Sequence, residues 1–126
     1  MIERIGVVGA GQMGNGIAHV CALAGLQVRL LDVEEGRLEA AMEAMGRNMD
    51  RQVRRGLFDE IEKAQALDRI STTTNVADLG DCDMVVEAAT ENEEVKRSIF
   101  KSMIPHLAPD AIIASNTSSI PITRLA

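Results

Sequence analysis

Three glycines carry the first chemical signal in this sequence. Gly9-Ala10-Gly11-Gln12-Met13-Gly14 has the spacing Gly-x-Gly-x-x-Gly. An apolar run, Ile5 to Val8, precedes it, and helical spacing of Met13, Ile17, Val20 or Cys21, and Ala24 follows it. A glycine-rich turn between strand and helix suits a pyrophosphate, and each glycine has its own task. Gly9 makes the tight turn, Gly11 lets a phosphate reach the backbone, and Gly14 lets the helix press on the strand. The N–H groups and positive dipole of the helix start then hold the anion. Taken alone, the motif is also compatible with a βα turn that binds nothing. Asp32 ends the next apolar run, 18 residues beyond Gly14. A carboxylate there accepts hydrogen bonds from an adenosine ribose and repels a 2′-phosphate, which favours NAD over NADP. Its alternative role is that of a turn residue before a helix.

Three further groups of residues could do chemistry. Arg47, Arg51, Arg54 and Arg55 surround a single Asp50, a local inversion of charge in an acidic chain. Asn48, Arg51 and Arg55 share one side of a helix, away from Met49, and could receive a phosphate or nucleotide tail. A solvated face explains the same spacing. Glu91, Asn92 and Lys96 follow one apolar run, and Ser115-Asn116-Thr117-Ser118-Ser119 follows the next. Both places are carboxyl ends of expected parallel strands, where open sheets bind ligands. Helix N-caps at Glu91 or Asn92, and at Ser118 or Ser119, are the structural alternatives. His19 and His106 read as packed or surface histidines. Cys21 and Cys82 have neither metal-ligand nor redox-pair spacing and read as reduced thiols, and no metal site is expected.

The elements that must position these groups alternate. Strands are predicted at residues 5–8, 27–31, 70–73, 84–86 and 111–114. Helices are predicted at 11–24, 34–55, 59–67 and 91–107. Leu38, Met42, Met45, Met49 and Val53 form the apolar stripe of the long helix. Val95, Ile99, Met103 and Leu107 form that of the last one, and another element starts at Ile120. The pattern implies an α/β fold, a Rossmann-type doubly wound, mostly parallel sheet with a helical hairpin inserted at about residues 34–68.

Composition narrows the class of function. The chain has 126 residues, a formal charge of −6, 46% hydrophobic and 25% charged residues. That is ordinary for one globular domain and unlike a disordered or collagenous chain. The acidic balance argues against general nucleic-acid binding. With no Trp or Tyr and only two Phe, base-stacking platforms are lacking. No apolar run approaches the roughly 18 residues of a membrane span. Glu3 and Arg4 interrupt the start, so no signal peptide is expected and the cytoplasm is the default address.

In order and spacing, Gly9 to Ala18, Leu30-Leu31-Asp32, Val85-Val86-Glu87-Ala88, Glu91-Asn92 with Lys96, and Ser115 to Ser119 resemble the N-terminal NAD-binding domain of L-3-hydroxyacyl-CoA dehydrogenases, including 3-hydroxybutyryl-CoA dehydrogenases. The resemblance spans essentially the whole chain, and the Ser-Asn-Thr-Ser-Ser segment is its most specific part. It implies NAD as cofactor, held by Gly9, Ala10, Gly11, Gln12, Met13, Gly14 and Asp32, with Glu91, Lys96 and Ser118 near the nicotinamide. It implies an acyl-CoA substrate that meets Asn48, Arg55, Lys96 and Ser118. Ser118 touches the reacting oxygen, and the hairpin covers the CoA tail. The reaction implied is oxidation of 3-hydroxyacyl-CoA to 3-ketoacyl-CoA, in fatty acid or butanoate metabolism. The family's catalytic His, its partner Glu and a substrate-site Asn match no residue here, nor does its helical C-terminal domain, which supplies most of a homodimer interface. The 126 residues alone are therefore expected to be nearly inactive. The alternatives are an NAD-binding or interaction module without catalysis and a dehydrogenase of a free hydroxyacid.

Overall fold

The computed structural model describes residues 2–88, 93–107, 109 and 111–115. Five strands, β1 (Arg4–Val8), β2 (Gln27–Leu31), β3 (Ile70–Thr73), β4 (Met84–Glu87) and β5 (Ile112–Ser115), alternate with four helices. These are α1 (Gln12–Leu23), α2 (Glu35–Arg54), α3 (Glu60–Asp68) and α4 (Glu93–Met103). The strand order is β3-β2-β1-β4-β5 and every pairing is parallel. The order reverses beside β1, and there the turns after β1 and β4 diverge to opposite sides and leave a crevice.

Strand alternation builds two cores. Ile5, Val7, Val28, Leu30 and Ile70 point to one face, where Ala18 and Ala22 of α1, Leu38, Met45 and Met49 of α2, and Ala66 of α3 cover them. Val8, Leu31, Val85 and Ile113 point to the other, under Leu79, Phe100 and Met103. A side chain as fully buried as Phe100, Leu79 or Met103 contributes about 1.5–3 kcal/mol. Both faces are thus covered, as a parallel sheet requires.

The helix stripes differ in detail from the periodicity. Met13 and Val20 of α1 are exposed, at 49% and 66%, while Gly14, Ala18, His19 and Ala22 are buried. Small residues face the sheet because α1 lies against the β1 turn too closely for longer ones. In α4, Phe100 and Met103 are buried and Val95 is exposed. The last helix also stops early, at Met103, and Ile104–His106 continues as a 3-10 turn. Pro105 has no N–H for an α-helical bond and tightens the backbone there. A second 3-10 turn, Val76–Leu79, has no counterpart among the expected elements; Asn75 caps it, its Oδ1 accepting from the Ala77 N–H at 3.0 Å.

Candidate functional site

The crevice is built at the carboxyl ends of β1 and β2. The β1 ladder runs on past the strand: the Gly9 N–H donates to the Leu31 carbonyl at 2.7 Å, and the Ala88 N–H donates to the Val8 carbonyl at 2.8 Å. Gly9 then turns the chain with φ +105°, a conformation that a residue with a Cβ rarely adopts. A Cβ on Gly14 would lie 1.7 Å from the Gly9 carbonyl oxygen. Only glycine lets α1 start this close to the turn. A Cβ on Gly11 would meet nothing within 4 Å, so the space above Gly11 is open. No side chain caps the start of α1, and its first turn carries no acid. The helix end therefore presents its N–H groups and positive dipole outward.

Asp32 closes the other side. It is buried, at 6% exposure. Its Oδ2 accepts from the Ala10 N–H and its Oδ1 from the Glu34 N–H, each at 3.0 Å. One carboxylate thus ties the glycine turn to the start of α2 and keeps lone pairs for further donors. A cavity of about 340 Å³ joins these parts. Gly9, Gly11, Asp32, Val33, Arg37 and Val95 are among its lining residues, with Val76, Ala88 and Ile99 adding apolar wall. An anion-binding turn, a sugar-binding acid and an apolar slot for a base are the three things a dinucleotide needs, so these residues fit NAD. A larger hollow of about 450 Å³ lies between α2 and β3, but Glu35, Glu39 and Glu43 line it. Three carboxylates repel phosphate, so it does not compete for the cofactor.

The basic residues lie elsewhere, on α2. Asn48, Arg47, Arg51, Arg54 and Arg55 are exposed, and Arg51 Nη1 donates to Asn48 Oδ1 at 3.1 Å. Asp50 faces Lys63 of α3 in an ion pair that closes the hairpin. That bond holds the Asp50 carboxyl below its usual range and the Lys63 ammonium above its own. The stretch thus keeps its positive balance. Two bonds link α2 to α1, the helix of the glycine turn. His19 Nε2 donates to Gln52 Oε1 at 2.8 Å, and Asn15 Nδ2 donates to the Ala41 carbonyl at 3.2 Å. His19 is accordingly a packed, tethering histidine.

The expected site residues divide into two sets. Gly9 to Gly14 and Asp32 come together at one crevice. Glu91, Asn92 and Asn116 to Ser119, including Ser118, lie outside the described residues, as does the side chain of Lys96, whose backbone belongs to α4. Arg37, Val33 and Val76 join the site in the folded structure, beyond the residues expected from sequence. Arg37 follows Asp32 by five residues in the first turn of α2, a spacing that could have pointed to it. Val95 reads as core by periodicity but lines the cavity instead. Among the described residues no group of three His, Cys, Asp or Glu side chains could hold a metal, and no helix is long and apolar enough to cross a membrane.

Comparison with known proteins places the fold in a family. The family model described as 3-hydroxyacyl-CoA dehydrogenase, NAD binding domain, matches residues 4–126. A 3-hydroxybutyryl-CoA dehydrogenase of Bradyrhizobium diazoefficiens is 53% identical over 126 residues, which are 100% of this chain and 43% of that protein. The crystal structure of (S)-3-hydroxybutyryl-CoA dehydrogenase from Ralstonia eutropha superposes with TM-score 0.92 at 42% identity, covering 99% of this chain and 44% of that one. That of 3-hydroxybutyryl-CoA dehydrogenase from Escherichia coli K12 gives TM-score 0.92 at 34% identity, covering 99% and 26%. The chain thus spans less than half the length of these relatives. The glycine turn, the acid at the end of β2 and the match along nearly the whole chain lead to one conclusion: the protein belongs to the 3-hydroxyacyl-CoA dehydrogenase family, as its NAD-binding domain.

Proposed function

We propose that NAD lies in the crevice with its pyrophosphate on Gly9, Ala10, Gly11, Gln12, Met13 and Gly14 and its adenosine ribose on Asp32. We propose further that the domain serves an enzyme oxidising 3-hydroxyacyl-CoA to 3-ketoacyl-CoA. The observation that carries this reading is the single cavity joining Gly9, Gly11 and Asp32 at the carboxyl edge of the sheet. NAD, when bound, supplies the hydride acceptor. The protein's task is to fix its position, with uncapped helix N–H groups against the phosphates and a pre-oriented carboxylate against the sugar.

The family likeness supports the remaining roles. Glu91, Lys96 and Ser118 border the nicotinamide, and Lys96 and Ser118 also meet the substrate. Ser118 touches its reacting oxygen. Asn48 and Arg55, exposed on α2, meet the CoA portion, a task suited to the positive balance of that helix. These 126 residues form one NAD-binding domain and turn over little by themselves. The reaction needs a base to take the hydroxyl proton; His19 is engaged by Gln52, and His106 sits in the 3-10 turn after α4. The whole enzyme acts as a cytoplasmic homodimer.

Calorimetric titration with NAD and then acetoacetyl-CoA tests the reading. Binding of both is expected. NAD binding without CoA binding would favour a non-catalytic module or a dehydrogenase of a free hydroxyacid. Arg55→Ala is expected to weaken acetoacetyl-CoA about tenfold, the loss of one charge-assisted contact, and to leave NAD affinity alone. Normal binding of both ligands would remove the hairpin from the CoA site.

A further inference from the structure

The ribose end of the crevice carries a charge arrangement that NAD binding does not itself require. Arg37 lines the same cavity as Asp32 and Val33. In folds of this type an arginine near the ribose is the group that accommodates the 2′-phosphate of NADP. An unoccupied guanidinium at this point would work against the repulsion from Asp32. Here Arg37 is engaged: its Nε donates to Glu34 Oε2 at 3.1 Å. The Glu34 backbone in turn donates to Asp32 Oδ1 at 3.0 Å. The backbone of the residue that occupies the arginine is thereby tied to the acid that grips the sugar.

We propose that Glu34 is a specificity-determining residue: by engaging Arg37 it withholds that guanidinium from a 2′-phosphate and makes the crevice select NAD over NADP. The inference rests on the crevice being the dinucleotide site. Glu34, Arg37 and Asp32 together bring two negative charges and one positive to the ribose end. A 2′-phosphate adds roughly −1.5 to −2 more. Removing the Glu34 charge leaves the remaining pair neutral and releases the arginine. Both side chains are about three-fifths exposed, at 61% and 62%, so water screens the pair and one substitution suffices to open it. The Glu34 side chain makes no capping bond to α2, so the helix start survives its replacement.

The test measures NADH and NADPH affinity by calorimetry in wild type, Glu34→Gln, and Glu34→Gln/Arg37→Gln. The ratio of NADPH to NADH dissociation constants is expected to fall about fivefold in Glu34→Gln, the upper range for an exposed pair. It is expected to return towards the wild-type ratio in the double variant. An unchanged ratio in Glu34→Gln overturns the proposal, and so does a double variant that keeps the gain, because Glu34 would then act by repulsion alone. Failure of wild type to bind NADH is a separate result; it rejects the dinucleotide crevice and this inference with it.

Discussion

Replacing Gly14 by alanine separates two forces of opposite sign. Gly14 lies inside α1, and in an ordinary helix interior glycine to alanine stabilises by roughly 1 kcal/mol. Here the added Cβ falls 1.7 Å from the Gly9 carbonyl oxygen and 2.8 Å from its carbon. Ordinary contact begins at 3.4 Å, so helix and turn must part by roughly 1.7 Å, well beyond what a packed backbone absorbs. Overpacking of this kind costs about 1–3 kcal/mol, and a backbone obstacle lies at the upper end. The net expectation is about 2 kcal/mol of destabilisation. At roughly 3–5 °C per kcal/mol for a domain of this size, Tm falls by about 6–10 °C. The same displacement moves the phosphate-binding N–H groups, so NAD binding weakens as well. Gly16→Ala is the control, because Gly16 lies in the same helix, is exposed and would meet nothing within 4 Å. It should gain about 1 kcal/mol. Gly11→Ala completes the series. Its Cβ meets open space, so stability should stay within about 1 kcal/mol while NAD affinity falls. Thermal unfolding followed by circular dichroism, with calorimetry for NAD, reads all three. A Gly14→Ala variant as stable as Gly16→Ala would refute the reasoning.

Two predictions concern titratable groups. Asp83 Oδ2 accepts from the Glu3 and Arg4 N–H groups at 2.9 Å each, and these bonds hold its carboxyl below the usual range. Its contribution is therefore full above the unfolded value of about 4 and is lost as pH falls through the folded value. Asp83→Asn should lower Tm at neutral pH, and the gap to wild type should narrow in acid; a gap that widens below about pH 4 would contradict the assignment. Burial, with help from the Asp81 charge, pushes the Cys82 thiol up to about 11. Only about one Cys82 thiol in a thousand is ionised at pH 8, so a disulfide reagent should modify it only after unfolding. Equal modification rates for Cys82 and the less buried Cys21 in the native protein would show that this face of the sheet opens readily.

Local sequence determined much of this protein. Glycine at 9 and 14 permits a turn and a close approach that a Cβ would block, and the βα turn follows from those backbone sterics. The β-branched and leucine runs at 5–8, 27–31 and 84–86 read as buried strands because each is short and bounded by turn residues. Asp32 follows from its distance to Gly14, since strand lengths in a βαβ unit are nearly fixed. Tertiary structure decided the remainder. Periodicity placed Met13, Val20 or Cys21, and Val95 inward. Cys21 does pack against the core, but the close approach at Gly14 rotates small residues of α1 onto the sheet and leaves Met13 and Val20 exposed, and Val95 borders a cavity. The 3-10 turn at Val76–Leu79 depends on what packs beside it, whereas the early end of α4 is local, since Pro105 lacks the N–H that an α-helical bond needs. Above all, the three-residue spacing of Glu34 and Arg37 permits an ion pair, but only the fold brings Arg37 to the same cavity as Asp32. Backbone rules act between neighbours and can be read in order along the chain. A charge pair at a ligand's edge depends on side-chain directions that only the assembled sheet and helices set.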